Sequence, residues 1–157
     1  MSEDLNSSKD SPPGSRRIGL VGCVKKKHHQ PRPAKDLYQS PLFTGRRNFV
    51  EQSCDEWWIL SAEHGLVNPN DLLAPYDVTL SNAGKEEKER WAARVVTAIN
   101  QQIQPVRGDI FEIHAGANYR DFGLIDALEN LGCTIENPTE KMQIGKQLKF
   151  YQNPPRR

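Results

Sequence analysis

Apolar residues along this chain occur in short runs and helical stripes that alternate between strand and helix character. Strand-length apolar runs predict four β-strands, over residues 18–21, 57–60, 110–114 and 133–136. Apolar positions at helical spacing predict helices over about 41–53 and 85–102, a third ending near Leu131 and a last one over about 141–151. This alternation predicts an α/β fold: a single three-layer domain with a small, mostly parallel four-stranded sheet covered by helices.

The same pattern divides the chain into a domain and two ends. Residues 1–15 are rich in Ser, Asp, Pro and Gly and predict a disordered tail, because such a segment buries too little apolar surface to become ordered. We expect a single α/β domain over residues 16–152 and a frayed C-terminus over 153–157. The segment after the second strand, from about 61 to 80, predicts a long loop, and loops of that length are usually functional or disordered.

Composition and charge limit the classes of protein that this chain can represent. Its 157 residues, of which 36% are hydrophobic, fit one globular domain with an ordinary core. The formal net charge of +1 excludes a globally basic protein that coats a polyanion, although residues 25–35 carry a local excess of cations. The chain shows neither a membrane-length apolar stretch nor a signal peptide, so we expect a cytoplasmic protein with no membrane partner. Three cysteines without a Cys-x-x-Cys pair predict reduced thiols rather than disulfides or a zinc ribbon.

Four polar segments carry residues that could bind or process a ligand, and three of them directly follow predicted strands. Because the carboxyl ends of parallel strands meet at one edge of a sheet, we expect these three segments to line a single cleft. The candidate residues are Cys23, Lys25, Lys26 and Lys27 in the first segment; Asp36, Tyr38 and Ser40 in the second; His64, Tyr76 and Asp77 in the third; and Gly116, Tyr119 and Arg120 in the fourth.

Each segment supports a functional interpretation and a structural one. The lysines could clamp a phosphate, one of them could act as an amine nucleophile, or all could be solvated. Cys23 could be an activated thiolate or a buried apolar residue. Ser40 could help to bind phosphate at a helix N-terminus or simply cap that helix. His64 could satisfy local hydrogen bonds, and Gly116 could only permit a tight turn.

Six motifs spread over residues 18–151 form a combined signature. They are Gly22-Cys23-x-Lys25-Lys26-Lys27, Asp36-Leu37-Tyr38-x-Ser40-x-x-Phe43, Ile59-Leu60-Ser61-Ala62-x-His64-Gly65-Leu66, Pro75-Tyr76-Asp77-x-Thr79-Leu80, Gly116-x-x-Tyr119-Arg120 and Ile144-Gly145-Lys146-Gln147-Leu148. Together they resemble a family of small prokaryotic and phage domains of unassigned function. That family is similar in architecture to the uracil-DNA glycosylase-like α/β fold. Cys23 and Lys27 also form a Cys-x-x-x-Lys element that resembles the one in archaeosine synthase, which modifies a deazaguanine base in transfer RNA.

The resemblance implies a nucleobase-processing enzyme, a DNA glycosylase that cleaves the N-glycosidic bond of a damaged or modified base. The implied partner is nucleic acid, DNA rather than RNA, and the protein is expected to be a monomer or a small homo-oligomer that needs no cofactor and no metal. The basic loop would hold the nucleic-acid backbone, while Tyr76 and Tyr119 sandwich an extruded base. Asp36 or Asp77 would activate water, and His64 would stabilise the departing base anion.

Two other classes of function stay open at this stage. A lysine-dependent nucleobase-modifying enzyme would form a covalent adduct between one of the three lysines and an electrophilic base. A noncatalytic nucleotide- or nucleic-acid-binding module would bind with a strong dependence on salt, yet would tolerate replacement of Asp36 and Asp77.

Overall fold

The computed structural model describes residues 16–155; the predicted tail over 1–15 and the last two residues lie outside this range. The elements, in chain order, are β1 (Arg17–Gly22), β2 (Arg32–Pro33), α1 (Ala34–Leu37), α2 (Pro41–Ser53), β3 (Glu56–Ser61), β4 (Gly65–Val67), β5 (Leu72–Leu73), a 3₁₀ turn (Leu80–Asn82), α3 (Lys85–Gln102), β6 (Ile110–His114), α4 (Ala117–Arg120), α5 (Leu124–Asn130), β7 (Thr134–Glu136) and α6 (Ile144–Gln152).

The main sheet is mixed but mainly parallel. Its strand order is β4-β3-β1-β6-β7, in which β4 runs antiparallel to β3 and each other neighbouring pair is parallel. The register aligns Gly22 of β1 with Leu60 of β3, and Val21 of β1 with His114 of β6. The prediction of an α/β fold with a mostly parallel sheet is therefore confirmed, and β1 lies at the centre of that sheet.

The prediction of four strands is wrong, because the chain turns back after β3 instead of leaving the sheet. Gly65 has a φ of 74°, in the left-handed region that favours glycine, and β4 follows as a fifth strand. Further along the segment that was predicted to be a long loop, β5 pairs with β2 in a small antiparallel ribbon. Strands of two or three residues are too short to show an apolar alternation, so the sequence pattern did not reveal them.

Helices cover both faces of the sheet and bury two apolar clusters. On one face, α3 and α5 pack against the sheet, where Trp91 and Val95 belong to the same buried cluster as Leu20. On the other face, Phe43 of α2 and Ile59 of β3 belong to a second cluster, and α6 packs against α2. Among the helices of residues 16–155, none combines the length and the apolar character that a membrane crossing requires.

Two of the predicted helices are confirmed to the residue, and two differ from their predictions. α2 and α3 have the predicted bounds. The third predicted helix is divided into α4 and α5 at Gly123, whose φ of 121° lies outside any helical conformation. The last helix begins only at Ile144 rather than 141, since Lys141 adopts a φ of 71°.

Candidate functional site at the carboxyl edge of the sheet

The carboxyl ends of β1, β3 and β6 meet at one edge of the sheet. The chain passes from β1 to β3 on one side and reaches β6 on the other side of β1, so the loops that follow β1 and β6 diverge. In open α/β sheets such a switch point opens a crevice in which ligands bind. Cys23 follows β1 and Tyr119 lies in α4, and the Cys23 Sγ is 3.3 Å from the Tyr119 hydroxyl. These two candidate residues therefore meet across the switch point.

A chain of hydroxyl groups extends from the end of β3. The Ser61 hydroxyl donates to the Tyr76 hydroxyl at 2.8 Å, and the hydroxyls of Tyr76 and Tyr38 are 2.5 Å apart. The Ser61 Oγ also accepts from the backbone N–H of His64 at 3.0 Å, which ties the start of the following turn to the same group. Ser61 lies in the third signature motif but is not among the candidate site residues, although its position directly after the predicted second strand was a usable signal. We call Cys23, Lys27, Tyr38, Ser61, Tyr76 and Tyr119 together the hydroxyl cluster.

Lys27 brings a positive charge to the hydroxyl cluster. Its Nζ lies 4.3 Å from the centroid of the Tyr76 ring and 5.8 Å from that of Tyr38, and it donates to the carbonyl of Lys25 at 2.9 Å. Desolvation by burial lowers the pKa of Lys27, while the nearby Cys23 and Asp77 act in the opposite direction. Lys27 is thus a half-buried cation over aromatic faces, close enough to Asp77 to interact electrostatically.

Burial keeps the tyrosines of the cluster in the neutral form. The pKa of each of Tyr38, Tyr76 and Tyr119 is raised, mainly because burial penalises the charged phenolate. Neutral phenols both donate and accept hydrogen bonds, so the cluster can bind a polar heterocycle that carries no charge.

Trp91 of α3 forms a wall beside the cluster. Its Nε1 donates to the Ser61 carbonyl at 2.9 Å, and its ring meets the Tyr119 ring edge-on, with centroids 5.2 Å apart. Trp91 also borders a neighbouring cavity of about 250 Å³. The other residues that line this cavity are Ala62, Val78, Leu80, Glu87, Arg90 and Arg94.

Arg46 reaches the base of the site from α2, and sequence reasoning missed it. Its side chain is 5% exposed, and its Nη1 lies 3.5 Å from the carbonyl of Gly22, at the end of β1. Burial lowers the pKa of Arg46. The hydroxyls of Tyr151 and Tyr119 and the thiol of Cys23 raise this pKa and so offset part of the effect of burial. The usable signal was spacing, because Arg46 lies three residues after Phe43 and four before Val50, on the core-facing stripe of its helix.

Several candidate residues lie apart from the hydroxyl cluster or at its rim. Asp36 pairs with Arg47 of α2 at 2.9 Å, an ion pair outside the cluster. Ser40 caps α2 by accepting from the Phe43 N–H at 3.0 Å. His64 is exposed, with its ring edge-on to the Tyr76 ring at 5.3 Å between centroids.

The remaining candidates have local or exposed positions. The side chains of Lys25 and Lys26 are exposed beside the cluster. Gly116 is exposed and occupies the N-cap position of α4, where it has no side chain to form a capping hydrogen bond. Arg120 donates from Nε to the Ala115 carbonyl at 3.0 Å and pairs with Asp121 at 3.3 Å, so its guanidinium supports the turn after β6.

A second polar cluster lies on the α2 and α6 face of β6 and is largely buried. His114 Nε2 is 2.7 Å from the Glu112 Oε1, and its Nδ1 is 2.6 Å from the Tyr151 hydroxyl. Arg17 pairs with the other oxygen of Glu112 at 2.9 Å. Glu112 and His114 are fully buried and Tyr151 is nearly so. We call Arg17, Glu112, His114 and Tyr151 the ionic cluster.

The site offers groups that can form hydrogen bonds and stack. Among residues 16–155, no three His, Cys, Asp or Glu side chains are grouped so that they could hold a metal ion. The site instead offers phenol and serine hydroxyls, a thiol, an ammonium group and one exposed carboxylate, that of Asp77. Such groups can hydrogen-bond, stack and exchange protons with a planar polar ligand.

Comparison with known proteins places the chain in a family. A family model described as a family of unknown function (DUF6884) matches residues 18–153, and the chain belongs to that family. It is also 36% identical over 78 residues to the uncharacterized protein YfjM of Bacillus subtilis (strain 168), an alignment that covers 45% of this chain and 52% of the relative. The match thus spans about half the length of that relative. No solved structure matches the chain significantly. The expectation of a family without an assigned function is confirmed.

Proposed function

We propose that this member of the DUF6884 family processes a nucleobase, and that it cleaves the N-glycosidic bond of a damaged or modified base in DNA. The observation that carries the proposal is the convergence of the hydroxyl cluster at the switch point of the sheet. Stacking rings, neutral hydroxyls and a cation are the groups that recognise an extruded base, which has a flat apolar face and a polar edge. The likeness to glycosylase-like domains inferred from the six motifs supports the same proposal.

Binding of the base relies on the neutral part of the cluster. The hydroxyls of Tyr38 and Tyr76 and the thiol of Cys23 are positioned to exchange hydrogen bonds with the edge of the base. One face of the Tyr76 ring is covered by Lys27 and His64 packs against the same ring, so Tyr119 is the better candidate for stacking. In place of the sandwich between Tyr76 and Tyr119 that the sequence suggested, we therefore propose that the base stacks on Tyr119.

Cleavage of the bond needs an activated water and stabilisation of the leaving base. Asp77 is the carboxylate close to Lys27, whereas Asp36 is paired with Arg47, so we assign water activation to Asp77. The water oxygen bonds to C1′ of the sugar while the bond from C1′ to the base nitrogen breaks. Asp77 takes a proton from the water, and the departing base anion is stabilised by the Lys27 ammonium with His64 at the rim.

The direct test is base release from defined oligonucleotides. Purified protein would be incubated with single- and double-stranded oligonucleotides that carry uracil, hydroxymethyluracil or a glucosylated base, and both abasic sites and free base would be measured. We expect release from at least one substrate, and a loss of about 100-fold or more in Asp77→Asn. The matched control is Asp71→Asn, since Asp71 is an exposed carboxylate in the same segment.

The outcomes separate the classes of function. Absence of base release across the panel, with protein whose fold is verified by circular dichroism, would overturn the glycosylase proposal. Oligonucleotide binding that is strong, salt-dependent and unchanged in Asp77→Asn would instead indicate a noncatalytic binding module.

A second candidate function, a lysine-dependent modification of the base, is favoured by one observation. Burial lowers the pKa of Lys27, which increases the neutral, nucleophilic fraction of its amine. On this route the neutral Lys27 Nζ adds to an electrophilic carbon of the base. The ring π bond at that carbon opens, its electron pair takes up a proton from solvent, and the nitrogen releases a proton to solvent. Intact-protein mass spectrometry would detect the adduct, which we expect to be lost in Lys27→Ala and retained in Lys26→Ala, since Lys26 is exposed.

A further inference from the structure

Arg46 is a buried cation whose described partners are all neutral. Its Nη1 is 3.5 Å from the Gly22 carbonyl and its Nη2 is 3.3 Å from the Gln147 Oε1, both long for hydrogen bonds. Its Nε is buried without any hydrogen-bond partner. Among residues 16–155, the groups that act on this guanidinium electrostatically are the hydroxyls of Tyr151 and Tyr119 and the thiol of Cys23, and the Tyr151 hydroxyl also hydrogen-bonds to it. A buried charge in this state is costly, and proteins usually offset that cost with a counter-ion.

The unpartnered nitrogen lies on the edge of the guanidinium that faces α6. In arginine the N–H of Nε and one N–H of Nη2 point in parallel, and this edge binds carboxylates and phosphates through two hydrogen bonds. Here Nη2 contacts Gln147, in the first turns of α6, so the Nε of the same edge also faces that helix. The Nη2 group therefore has the Gln147 oxygen as acceptor, whereas the Nε–H of the same edge has none.

The start of α6 adds further donors in the residues directly before Gln147. The first backbone hydrogen bond of the helix joins the Gln147 N–H to the Gln143 carbonyl, which leaves the amides of Gly145 and Lys146 without intrahelical acceptors. Gln143 provides no side-chain cap. A Cβ placed on Gly145 would have no atom within 4 Å, so the backbone there is open to approach, and the Lys146 side chain is exposed. Backbone amides at a helix start, together with a lysine, bind phosphate.

We propose that Arg46, Lys146 and the first turn of α6 form a phosphate-binding subsite next to the hydroxyl cluster. Rotation of the Gln147 side chain away from Arg46 would free the Nε and Nη2 edge for two phosphate oxygens. Gly22 connects the two sites, since it accepts from Arg46 and directly precedes Cys23. The choice of a nucleic-acid phosphate as the natural ligand rests on the proposed function, whereas the subsite itself rests on Arg46 and α6.

The test uses the full chain and measures binding rather than base release. Thermal unfolding and titration calorimetry would be recorded with inorganic phosphate and, separately, with a short single-stranded oligonucleotide. We expect phosphate to raise the Tm in a concentration-dependent way, as any ligand of the folded state does. Arg46→Lys keeps the charge but loses the two-donor edge, and we expect it to weaken phosphate binding about tenfold. Lys146→Ala is expected to weaken binding about threefold.

Two controls keep the proposal falsifiable. Lys149→Ala removes an exposed lysine from the same helix and should leave phosphate binding unchanged. Gln147→Ala removes the neutral acceptor that competes for the edge, so phosphate should bind at least as tightly as in the unsubstituted chain. If Arg46 only anchored α6 through Gln147, the Gln147 variant would lose stability and phosphate would have no effect on its Tm.

The results also identify the source of the phosphate. If Arg46→Lys weakens the binding of both inorganic phosphate and the oligonucleotide, and the two ligands compete with each other, the subsite binds a phosphate of the nucleic-acid chain. If it weakens inorganic phosphate alone, the subsite binds a free anion. The subsite proposal would be overturned if neither ligand bound. It would also be overturned if the unsubstituted chain, Arg46→Lys and Lys146→Ala bound phosphate equally. Phosphate binding without any base release would contradict the glycosylase function alone.

Discussion

The hydroxyl cluster and the ionic cluster lie near the same central strands but differ in how their charges are satisfied. In the ionic cluster, Glu112 lies between Arg17 and His114, and both the carboxylate and the imidazole are fully buried. In the hydroxyl cluster, Lys27 is half-buried and donates to a backbone carbonyl above two aromatic rings. The charges of the ionic cluster are paired with one another, which is typical of a structural role. The Lys27 ammonium lies near solvent and contacts a carbonyl and aromatic rings, so it is available to a ligand.

The two clusters together contain all four tyrosines of the chain, so alkaline titration tests both at once. The pKa of each tyrosine is raised above 10, chiefly by burial. Because the unfolded chain loses these protons first, stability is intact below pH 10 and falls as the pH rises above it. We expect near-ultraviolet absorbance to show no phenolate in the folded protein at pH 10, and phenolates to appear together with unfolding. Titration of two or more tyrosines near pH 10 without unfolding would show that at least one tyrosine of the hydroxyl cluster is solvated.

Removal of the shared carboxylate should produce the largest effect of a single substitution. Glu112→Ala removes the carboxylate from the fully buried His114 and leaves the half-buried Arg17 paired with Glu136, and we expect the free energy of unfolding to fall by about 3 kcal/mol. Urea denaturation would measure this loss. Glu56→Gln is the control, because Glu56 pairs with Arg16 at a partly exposed position, where a change of about 0–1 kcal/mol is expected. Similar losses in the two variants would contradict a structural role for the ionic cluster.

The contact between α2 and α6 should respond to a single added methyl group. A Cβ on Gly45 would lie 2.6 Å from the Tyr151 Cβ, so Gly45→Ala must push α6 away from α2. We expect a loss of about 1–3 kcal/mol in the free energy of unfolding. Gly145→Ala offers a matched control, since its Cβ meets nothing within 4 Å and alanine favours a helix by about 0.5–1 kcal/mol. Equal destabilisation by both substitutions would show that close packing at Gly45 is not what holds α6.

The smallest effect on stability is expected within the hydroxyl cluster. Tyr76→Phe removes the hydroxyl that joins Tyr38 to Ser61, and we expect the free energy of unfolding to fall by only about 1 kcal/mol. Base release or oligonucleotide affinity should nevertheless fall by about tenfold, because a hydrogen-bonding group of the proposed pocket is lost. A stability loss as large as that of Glu112→Ala, with unchanged activity, would identify this cluster as structural as well.

Most regular elements of the fold could be predicted because each is encoded by a local pattern. α2 begins at Pro41, directly after the capping residue Ser40, and its bounds agree with the prediction. The central strands are apolar runs whose residues are buried against helices on both faces. β4 escaped prediction, since three residues carry no periodicity and its pairing depends on a turn at Gly65.

The sequence by itself determined which kinds of chemical group follow the strands, and the parallel order of the sheet brought Cys23, Ser61 and Tyr119 to one edge. Only the tertiary structure decided which partner each group has. It pairs Asp36 with Arg47, leaves Asp77 close to Lys27, and buries Arg46 between β1 and α6. The physical reason is that local patterns select helices and strands, whereas hydrogen bonds and ion pairs between distant segments depend on the path of the whole chain.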